Sequence, residues 1–216
     1  MTIEEPTTRV LVIDDHAVVR AGLCALLDLE GGIDVVAEAG DGEAGFRAYV
    51  DITPDVVVMD LRLPGISGLE TIRRIVARTS GVKILAFSIH EDTAFVTQAL
   101  QAGARGYVTK SAASKVVIYA IGQIALGNIY LEPDVAQRLA VEKTKGPNSP
   151  FARLTTREFE IFCLIAQGLS ASDIGNRLAL SAKTVANYST QIKSKLEVKS
   201  IAGIVRMAIQ NGVIEV

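Results

Sequence analysis

The stretch that most constrains the fold is Val56–Asp60, in which four apolar residues, the first three β-branched, lead directly to a carboxylate. A short apolar run between the turn residues Pro54-Asp55 and Arg62–Gly65 is typical of a strand buried on both faces, as in a parallel sheet. Asp60 then lies at the carboxyl end of the strand, the edge of an open α/β sheet where ligands bind. A lone Asp is equally typical of a turn or a helix N-cap, so its role depends on the other strands.

Further apolar runs alternate with stretches of helical spacing over the first 130 residues. The predicted strands are residues 10–13, 35–38, 56–59, 83–88 and 106–110, and a helix follows each of them. Parallel neighbours need crossover connections, so this alternation predicts a parallel sheet with helices on both faces. Right-handed crossovers then bring all the strand carboxyl ends to one edge.

Five polar residues are predicted at that edge: Asp14, Asp15, Asp60, Ser88 and Lys110. Carboxylates that share a pocket repel each other unless a cation lies among them, and ligands with oxygen donors alone suit Mg²⁺, which keeps several waters. A carboxylate can also accept a phosphoryl group, whose oxygens Lys110 and Ser88 would bind. Taken singly, each residue could be a helix cap, a turn residue or a solvated side chain; the prediction rests on their convergence.

Residues 9 to about 128 resemble the receiver domain of two-component response regulators in the order and spacing of these motifs, with Leu63-Pro64-Gly65 after the third strand. The resemblance implies a flavodoxin-like, doubly wound five-stranded parallel sheet in the order 2-1-3-4-5. It implies Asp60 as the phosphoacceptor. It also implies Mg²⁺ on Asp15, Asp60 and the backbone carbonyl of Arg62, with Asp14 reaching the metal through water.

The same resemblance implies that Ser88 and Tyr107 form a switch pair. The Tyr107 ring would point outward before phosphorylation and swing inward afterwards; the alternative is a plain edge-strand aromatic. Ser67 departs from the Asp or Asn that many receivers have at this position. We assign His16 to the start of a helix rather than to a metal site.

Composition and charge add further limits. The net charge is −2, but residues 1–130 carry 11 Lys and Arg against 16 Asp and Glu, whereas residues 131–216 carry 11 against 8, which suits a polyanion. The start of the sequence does not match a secretory signal, and no apolar stretch is long enough to span a bilayer. Cys24 and Cys163 have no metal-ligand spacing. We therefore expect a cytoplasmic, soluble protein with no membrane association.

The second half is predicted to be a separate all-α unit. We divide the chain into a disordered N-terminus (1–8), a receiver (9–130), a helix with a flexible linker (131–150) and a helical domain (151–216). The helix is predicted over 133–141, and the linker, rich in Pro, Gly and polar residues, over 142–150.

Four helices are predicted in the second unit. Thr155 with Glu158, and Ser170 with Asp173, have capping-box spacing at the starts of the first two. A short helix, a turn at 179–181 and a longer helix over 182–196 form a helix-turn-helix. The fourth helix, 201–210, ends before Asn211-Gly212.

The longer helix has an apolar side and a polar side. Val185, Tyr188, Ile192 and Leu196 share the apolar side. The polar side suits base edges in a major groove, with lysines nearby for phosphates. The predicted DNA-binding residues are Lys183, Thr184, Asn187, Thr190, Gln191 and Lys195. Seen alone, such a face is equally typical of a solvated helix surface.

Residues 154–214 resemble the LuxR-type DNA-binding domain, through Leu154-Thr155, Arg157-Glu158, Ala166–Ser170 and Thr184-Val185 among other positions. A receiver followed by this domain is the arrangement of NarL/FixJ-type transcriptional response regulators. The resemblance implies a sensor histidine kinase, double-stranded DNA with paired half-sites and a homodimer on activation as partners.

The departures from the LuxR-type pattern are Ala186 in place of a basic residue, Tyr188 in place of a frequent His, and Ala171-Ser172-Asp173 in place of Asn-Lys-Glu. Losing a phosphate-facing cation lowers the salt dependence of DNA binding by about one unit of slope. One alternative is therefore a receiver-linked regulator whose second half acts through protein contacts. An aspartyl phosphatase needs a second Asp two residues after its nucleophile, which the first strand lacks, so we expect no enzyme beyond self-catalysed phosphoryl uptake and loss.

Overall fold

The structure, a computed structural model, describes residues 7–144 and 150–214. The chain divides into two compact units, Met1–Glu91 with Ala99–Ala136 and Asp92–Gln98 with Gln137–Val216. Residues 1–6 of the predicted disordered N-terminus and residues 145–149 of the predicted linker lie outside the described residues. Within the described ranges, the helices are too short or too polar to cross a membrane.

A six-stranded sheet forms the first unit, in the order β2-β1-β3-β4-β5-β6, with every neighbouring pair parallel. The strands are β1 (Thr8–Ile13), β2 (Ile33–Ala39), β3 (Val56–Met59), β4 (Ile84–Ser88), β5 (Gly106–Thr109) and β6 (Tyr130–Leu131). The predicted order 2-1-3-4-5 is confirmed, but the predicted count of five misses β6. Two residues are too few to show a periodic pattern. Thr8 belongs to β1 rather than to the predicted disordered N-terminus.

The helices of the first half follow the predicted alternation. They are α1 (Ala17–Asp28), α2 (Gly42–Ile52), α3 (Gly68–Arg78), α4 (Thr93–Ala102), α5 (Ser114–Ala125) and α6 (Pro133–Thr144). The last of these extends three residues past the predicted end, into the segment that Lys143 and its polar neighbours had marked as linker.

Helices flank the sheet on both faces. Leu23 of α1 and Ile121 of α5 lie in one buried cluster with Val10 of β1 and Val58 of β3. Side chains of successive strand residues point to opposite faces. On the other face, α2 approaches β1 so closely that a Cβ at Gly45 would clash with the Ile13 side chain. The all-buried strands β3, β4 and β5 are therefore explained by apolar contacts on both sides.

Between residues 150 and 214, the second half consists of a 3₁₀ turn and four helices. They are the turn Pro150–Arg153, α7 (Thr156–Ala166), α8 (Ala171–Leu178), α9 (Ala182–Lys195) and α10 (Ile201–Gln210). Both predicted capping boxes are present, at the N-termini of α7 and α8. Phe159 and Phe162 of α7 are fully buried, with their rings stacked 6.1 Å apart.

A tight turn joins α8 to α9. Gly175 lies so close to this turn that a Cβ there would be 2.6 Å from the carbonyl oxygen of Leu180. Ala179 has a left-handed backbone conformation, with φ of 54°. Arg157 of α7 donates to the carbonyl of Leu178 at 2.9 Å, which satisfies one of the last carbonyls of α8. These contacts fix the predicted helix-turn-helix.

Candidate functional site

The predicted polar residues are brought together by backbone hydrogen bonds between strand ends. The Asp14 N–H donates to the carbonyl of Ala39 at 3.0 Å, and the Asp60 N–H donates to that of Ile13 at 2.8 Å. The Lys110 N–H donates to the carbonyl of Ser88 at 2.8 Å. Because each bond continues a parallel ladder one residue past a strand, the side chains meet at one edge.

Lys110 is the cation of this edge. Its Nζ donates to Asp60 Oδ2 at 2.7 Å and lies 2.7 Å from Asp14 Oδ2 in an ion pair. All three side chains are at least nine-tenths buried. Asp14 Oδ2 is buried and accepts no hydrogen bond, so the ion pair with Lys110 is the contact that offsets its charge. One ammonium therefore offsets only part of the charge of two buried carboxylates.

Asp60 is only 2% exposed. Burial raises the pKa of its carboxyl, since the ionised form loses hydration. Hydrogen bonds from Lys110 and from the Arg62 N–H, 3.1 Å from Oδ1, oppose that rise. The contacts thus offset part of the hydration that the carboxylate loses on burial.

Asp15 and His16 complete the acidic pocket. The His16 N–H donates to Asp14 Oδ1 at 2.9 Å, and its Nδ1 lies 2.7 Å from Asp15 Oδ1. His16 is the N-cap residue of α1, in agreement with its assignment to the start of a helix, and its ring also brings a nitrogen into the pocket. One donor atom from each of Asp14, Asp15, His16 and Asp60 lies within 4.8 Å of the others.

The loop after Asp60 depends on a glycine. A Cβ at Gly68 would overlap the carbonyl oxygen of Asp60, so no side chain fits there. Gly65 has a φ of 72°, a conformation that glycine adopts without strain. Ser67 caps α3 by accepting from the Glu70 N–H at 3.3 Å. The serine thus performs the capping that an Asp or Asn would perform at this position.

Ser88 and Tyr107 are both fully buried. Ser88 Oγ accepts from the His90 N–H at 3.2 Å, and the Tyr107 hydroxyl donates to the His90 carbonyl at 2.7 Å. The expectation of an outward Tyr107 ring is therefore wrong for this structure, and β6 on the far side of β5 means that Tyr107 is not on an edge strand. Burial, together with the charge of Arg62, lowers the pKa of His90 to about 4.

Two residues that contact the site were missed. Arg20 of α1 donates to the carbonyl of Asp14 at 2.6 Å and to Glu38 at 3.1 Å, which holds the loop after β1. Glu132 bonds to Thr109, the neighbour of Lys110. Arg20 carries no distinguishing sequence signal, because an arginine on an amphipathic helix usually faces solvent.

The second candidate site is the polar face of α9. On its apolar side, Val185, Ile192 and Leu196 are buried as predicted, whereas Tyr188 is half-buried. On the polar side, Lys183, Asn187, Thr190 and Gln191 are exposed and Thr184 is half-buried. Thr190 Oγ1 donates to the carbonyl of Ala186 at 3.1 Å, and Thr184 bonds to the N-cap Ser181. The exposed groups therefore form a continuous surface on one helix.

Lys195 differs from the other five. Its Nζ lies 2.6 Å from Oε2 of Glu158, a buried carboxylate at the start of α7. Burial opposes ionisation of Glu158, but hydrogen bonds from Lys195 and Thr155 hold its pKa below the usual range. The Lys195 ammonium is thus bonded within the domain, unlike that of the exposed Lys183.

Family models match both halves of the chain. Residues 10–121 match the response regulator receiver domain, and residues 152–208 match the LuxR family of bacterial regulatory proteins. Each match contains its candidate site: the acidic pocket lies in the first and the α9 surface in the second.

Two relatives are similar over nearly the whole chain. The transcriptional activator protein ExaE of Pseudomonas putida is 42% identical over 212 residues, 96% of this chain and 98% of the relative. The response regulator UvrY of Escherichia coli K12 is 39% identical over 208 residues, 94% of each chain. A solved LuxR-family two-component response regulator from Aurantimonas sp. SI85-9A1 is 43% identical, covers 64% of this chain and 99% of its own, and has a TM-score of 0.62.

Proposed function

The chain belongs to the family of two-component response regulators in which a receiver precedes a LuxR-type DNA-binding domain, and we propose that Asp60 is its phosphoacceptor. The observation that supports this role is the position of the Asp60 carboxylate. It lies at the end of β3, with one oxygen bonded to Lys110 and the other to the Arg62 N–H. A buried carboxylate with donors already aimed at its oxygens is prepared for charge that develops there.

The proposed donor is a phosphohistidine of a sensor histidine kinase. An Asp60 oxygen forms a bond to phosphorus as the bond between phosphorus and the histidine nitrogen breaks. The leaving imidazole keeps the electron pair and takes up a proton, and an acyl phosphate remains on Asp60. Lys110 then pairs with a phosphoryl oxygen in place of the carboxylate. The chain needs no activity towards other substrates for this role, so we propose that it is not an enzyme beyond its own phosphoryl uptake and loss.

The residues present fit a divalent cation, which we propose to be Mg²⁺. The fit rests on the close-set oxygens of Asp14, Asp15 and Asp60 and on the buried Asp14 Oδ2, which has an ion pair but no hydrogen bond. Together with the Arg62 carbonyl, these carboxylates are the oxygen donors that Mg²⁺ prefers. When bound, the ion would offset negative charge on the transferring group. The ring of His16 lies beside this set, but we assign it no coordination of Mg²⁺.

We propose that Ser88 and Tyr107 report the phosphorylation. The Ser88 hydroxyl accepts from His90, and its own hydrogen can be donated to a phosphoryl oxygen. Such a bond would draw Ser88 and the attached His90 backbone towards Asp60. Because the Tyr107 hydroxyl bonds to the same His90 backbone, the movement reaches a buried ring on β5.

We propose that α9 enters the major groove of double-stranded DNA. Lys183, Thr184, Asn187, Thr190 and Gln191 are the proposed contacts, and Lys195 is reassigned to a structural pair with Glu158. The relative ExaE carries the name of a transcriptional activator, which supports the same role here. A protein that binds the genome of a bacterium must meet it in the cytoplasm, where we place this chain. The alternative, a regulator acting through protein contacts, is favoured by the missing cations at Ala186 and at residues 171–173.

Paired half-sites require two copies of α9. The α10 helix has an apolar surface suited to a second copy, with Ile201 58% exposed and Ile209 also exposed. Ala202 and Val205 lie between them on the same shallow groove. We propose that phosphorylated protein dimerises through this face. Sedimentation of the phosphorylated Ile201→Glu variant tests the proposal, since a dimer that survives the buried charge would contradict it.

Phosphoryl uptake from acetyl phosphate in Mg²⁺, measured by intact-protein mass, tests the acceptor. The Asp60→Asn variant should gain no phosphoryl group. Asp55→Asn is the matched control, because Asp55 is an exposed aspartate at the opposite end of the same strand. Uptake by Asp60→Asn at the wild-type rate would overturn the assignment.

A gel-shift screen on genomic fragments separates DNA binding from the protein-contact alternative. Phosphorylated wild-type protein should retard a subset of fragments, and the Asn187→Ala variant should lose that selectivity while keeping its fold. Retardation of no fragment by phosphorylated protein would favour the alternative.

A further inference from the structure

Glu132 occupies the single position between β6 and α6, and its backbone bonds to both the sheet and the helix. Its N–H donates to the carbonyl of Tyr107 at 3.0 Å, which extends the pairing of β5 with β6. Its carbonyl accepts from the N–H of Ala136 at 2.9 Å, in the first turn of α6. Glu132 is therefore where the chain passes from the sheet into the segment that leads to the LuxR-type domain.

The side chain of Glu132 turns back to β5. Its Oε2 accepts from both the N–H and the hydroxyl of Thr109, each at 2.8 Å. In a continued parallel ladder, the Thr109 N–H would bond to the carbonyl of Glu132. That carbonyl is already bonded to Ala136, so the carboxylate takes its place. The bonds are charge-assisted, which makes them stronger than the backbone bond they replace.

Thr109 is the buried last residue of β5 and directly precedes Lys110. The Lys110 backbone is held by Ser88, and its ammonium is held by Asp60 and Asp14. If the Lys110 ammonium changes its partner at Asp60, the change therefore acts on the Thr109–Lys110 peptide. Thr109, at the other end of that peptide, is bonded to Glu132. The Glu132 side chain thus joins the Lys110 end of β5 to the start of α6.

We propose that Glu132 is a positioning residue that couples the phosphorylation state of the receiver to α6. The inference rests on the proposed function, since it assumes that Asp60 is phosphorylated. When Lys110 pairs with a phosphoryl oxygen, the end of β5 shifts with it. The two bonds to Thr109 carry that shift to Glu132, and the first turn of α6, which follows Glu132, moves or loosens.

Hydrogen exchange of the full chain, with and without beryllofluoride in Mg²⁺, tests the coupling. In wild type, exchange in residues 88–91 and in the first turns of α6 should each change by at least about threefold on beryllofluoride addition. Glu132→Ala should keep the change in residues 88–91 and lose it in α6. Glu132→Gln should retain both, because both donors meet one oxygen that an amide also supplies.

Glu30→Ala is the matched control, because it removes an exposed glutamate from the same unit; it should behave as wild type. Should Glu132→Ala fail to fold, Thr109→Val removes one of the two donors and should reduce the α6 change. An α6 change that persists in Glu132→Ala, or that keeps its wild-type size in Thr109→Val if only that variant folds, would overturn the coupling. So would a wild-type response confined to residues 88–91. A wild-type protein that responds in neither region would instead contradict the proposed phosphorylation of Asp60.

Discussion

The edge of the sheet and the exposed face of α9 are built in opposite ways. At the sheet edge, Asp14, Asp60 and Lys110 come from three strands, are buried, and are fixed by direct contacts with one another. On α9, the polar side chains come from one helix, and most are exposed. A buried site binds a small, charged group in one geometry. An exposed helical face can approach a large polyanion. In the free protein, few contacts fix the side chains of such a face.

This difference predicts where substitutions act. Substitutions at the sheet edge should change folding stability and chemistry together, because its charges are buried. Substitutions on α9 should change DNA affinity and leave stability almost unaltered, unless the side chain is bonded within the domain.

The largest effect is expected for Lys110→Met. It leaves Asp14 and Asp60 buried without their ammonium, which should cost about 3 to 5 kcal/mol in the free energy of unfolding. Urea denaturation of the receiver transition measures the loss. Mg²⁺ should restore more stability to this variant than to wild type, since it would occupy the same carboxylates. An equal Mg²⁺ response in both proteins would contradict the shared site.

A smaller loss, about 2 to 3 kcal/mol, is expected for Gly68→Ala, because the new methyl would overlap the Asp60 carbonyl and displace the loop. The matched control is Gly122→Ala. Gly122 lies in α5 with nothing within 4 Å of a new Cβ, so its substitution should be neutral or slightly stabilising. Thermal unfolding of the two variants measures the difference in stability. Equal unfolding temperatures would mean that the loop around Gly68 accommodates the methyl group without cost, which would contradict the prediction.

Lys195→Met should destabilise the DNA-binding domain by about 1 kcal/mol, since the lysine is 38% exposed and water screens part of its pairing. The pH dependence has a definite sign. Glu158 has a lowered pKa in the folded state, so its contribution is present above the unfolded pKa and is lost as pH falls through the lowered value. Without Lys195, acid unfolding should begin at higher pH. Acid titrations by circular dichroism that coincide for the two proteins would refute the pairing.

The smallest effect on stability is expected for Lys183→Ala. Lys183 is exposed, so the free energy of unfolding should change by less than about 0.5 kcal/mol. If Lys183 contacts a phosphate, the slope of log affinity against log salt should fall by about one unit. Fluorescence anisotropy over a salt series measures that slope. An unchanged slope would remove Lys183 from the interface.

The sequence is sufficient to predict features that a repeated pattern of residues indicates. Apolar runs that end in polar residues predict five parallel strands and the edge where Asp60 and Lys110 meet, because right-handed crossovers bring the strand ends together. The apolar side of α9 follows from helical spacing in the same way. Both predictions use several residues that agree. The order of the strands in the sheet was implied by the resemblance to receiver domains.

Features that depend on a single contact could not be predicted. Lys183 and Lys195 are both lysines on one helix, and only the position of Glu158 distinguishes them. The Tyr107 ring is buried, with its hydroxyl donating to the backbone carbonyl of His90 in the loop after β4. β6 has only two residues. Beyond them, the Thr109 N–H donates to the side chain of Glu132 instead of to a backbone carbonyl. Such contacts produce no periodic pattern in the sequence.

The central claim is that phosphorylation of Asp60 controls DNA binding by α9. The most direct test is the affinity of the full chain for a retarded genomic fragment, measured with and without acetyl phosphate in Mg²⁺, for wild type and Asp60→Asn. The account predicts that acetyl phosphate tightens binding of wild type by about tenfold, a typical allosteric coupling, and leaves Asp60→Asn unchanged. An equal response in the two proteins, or no response in wild type, would contradict it.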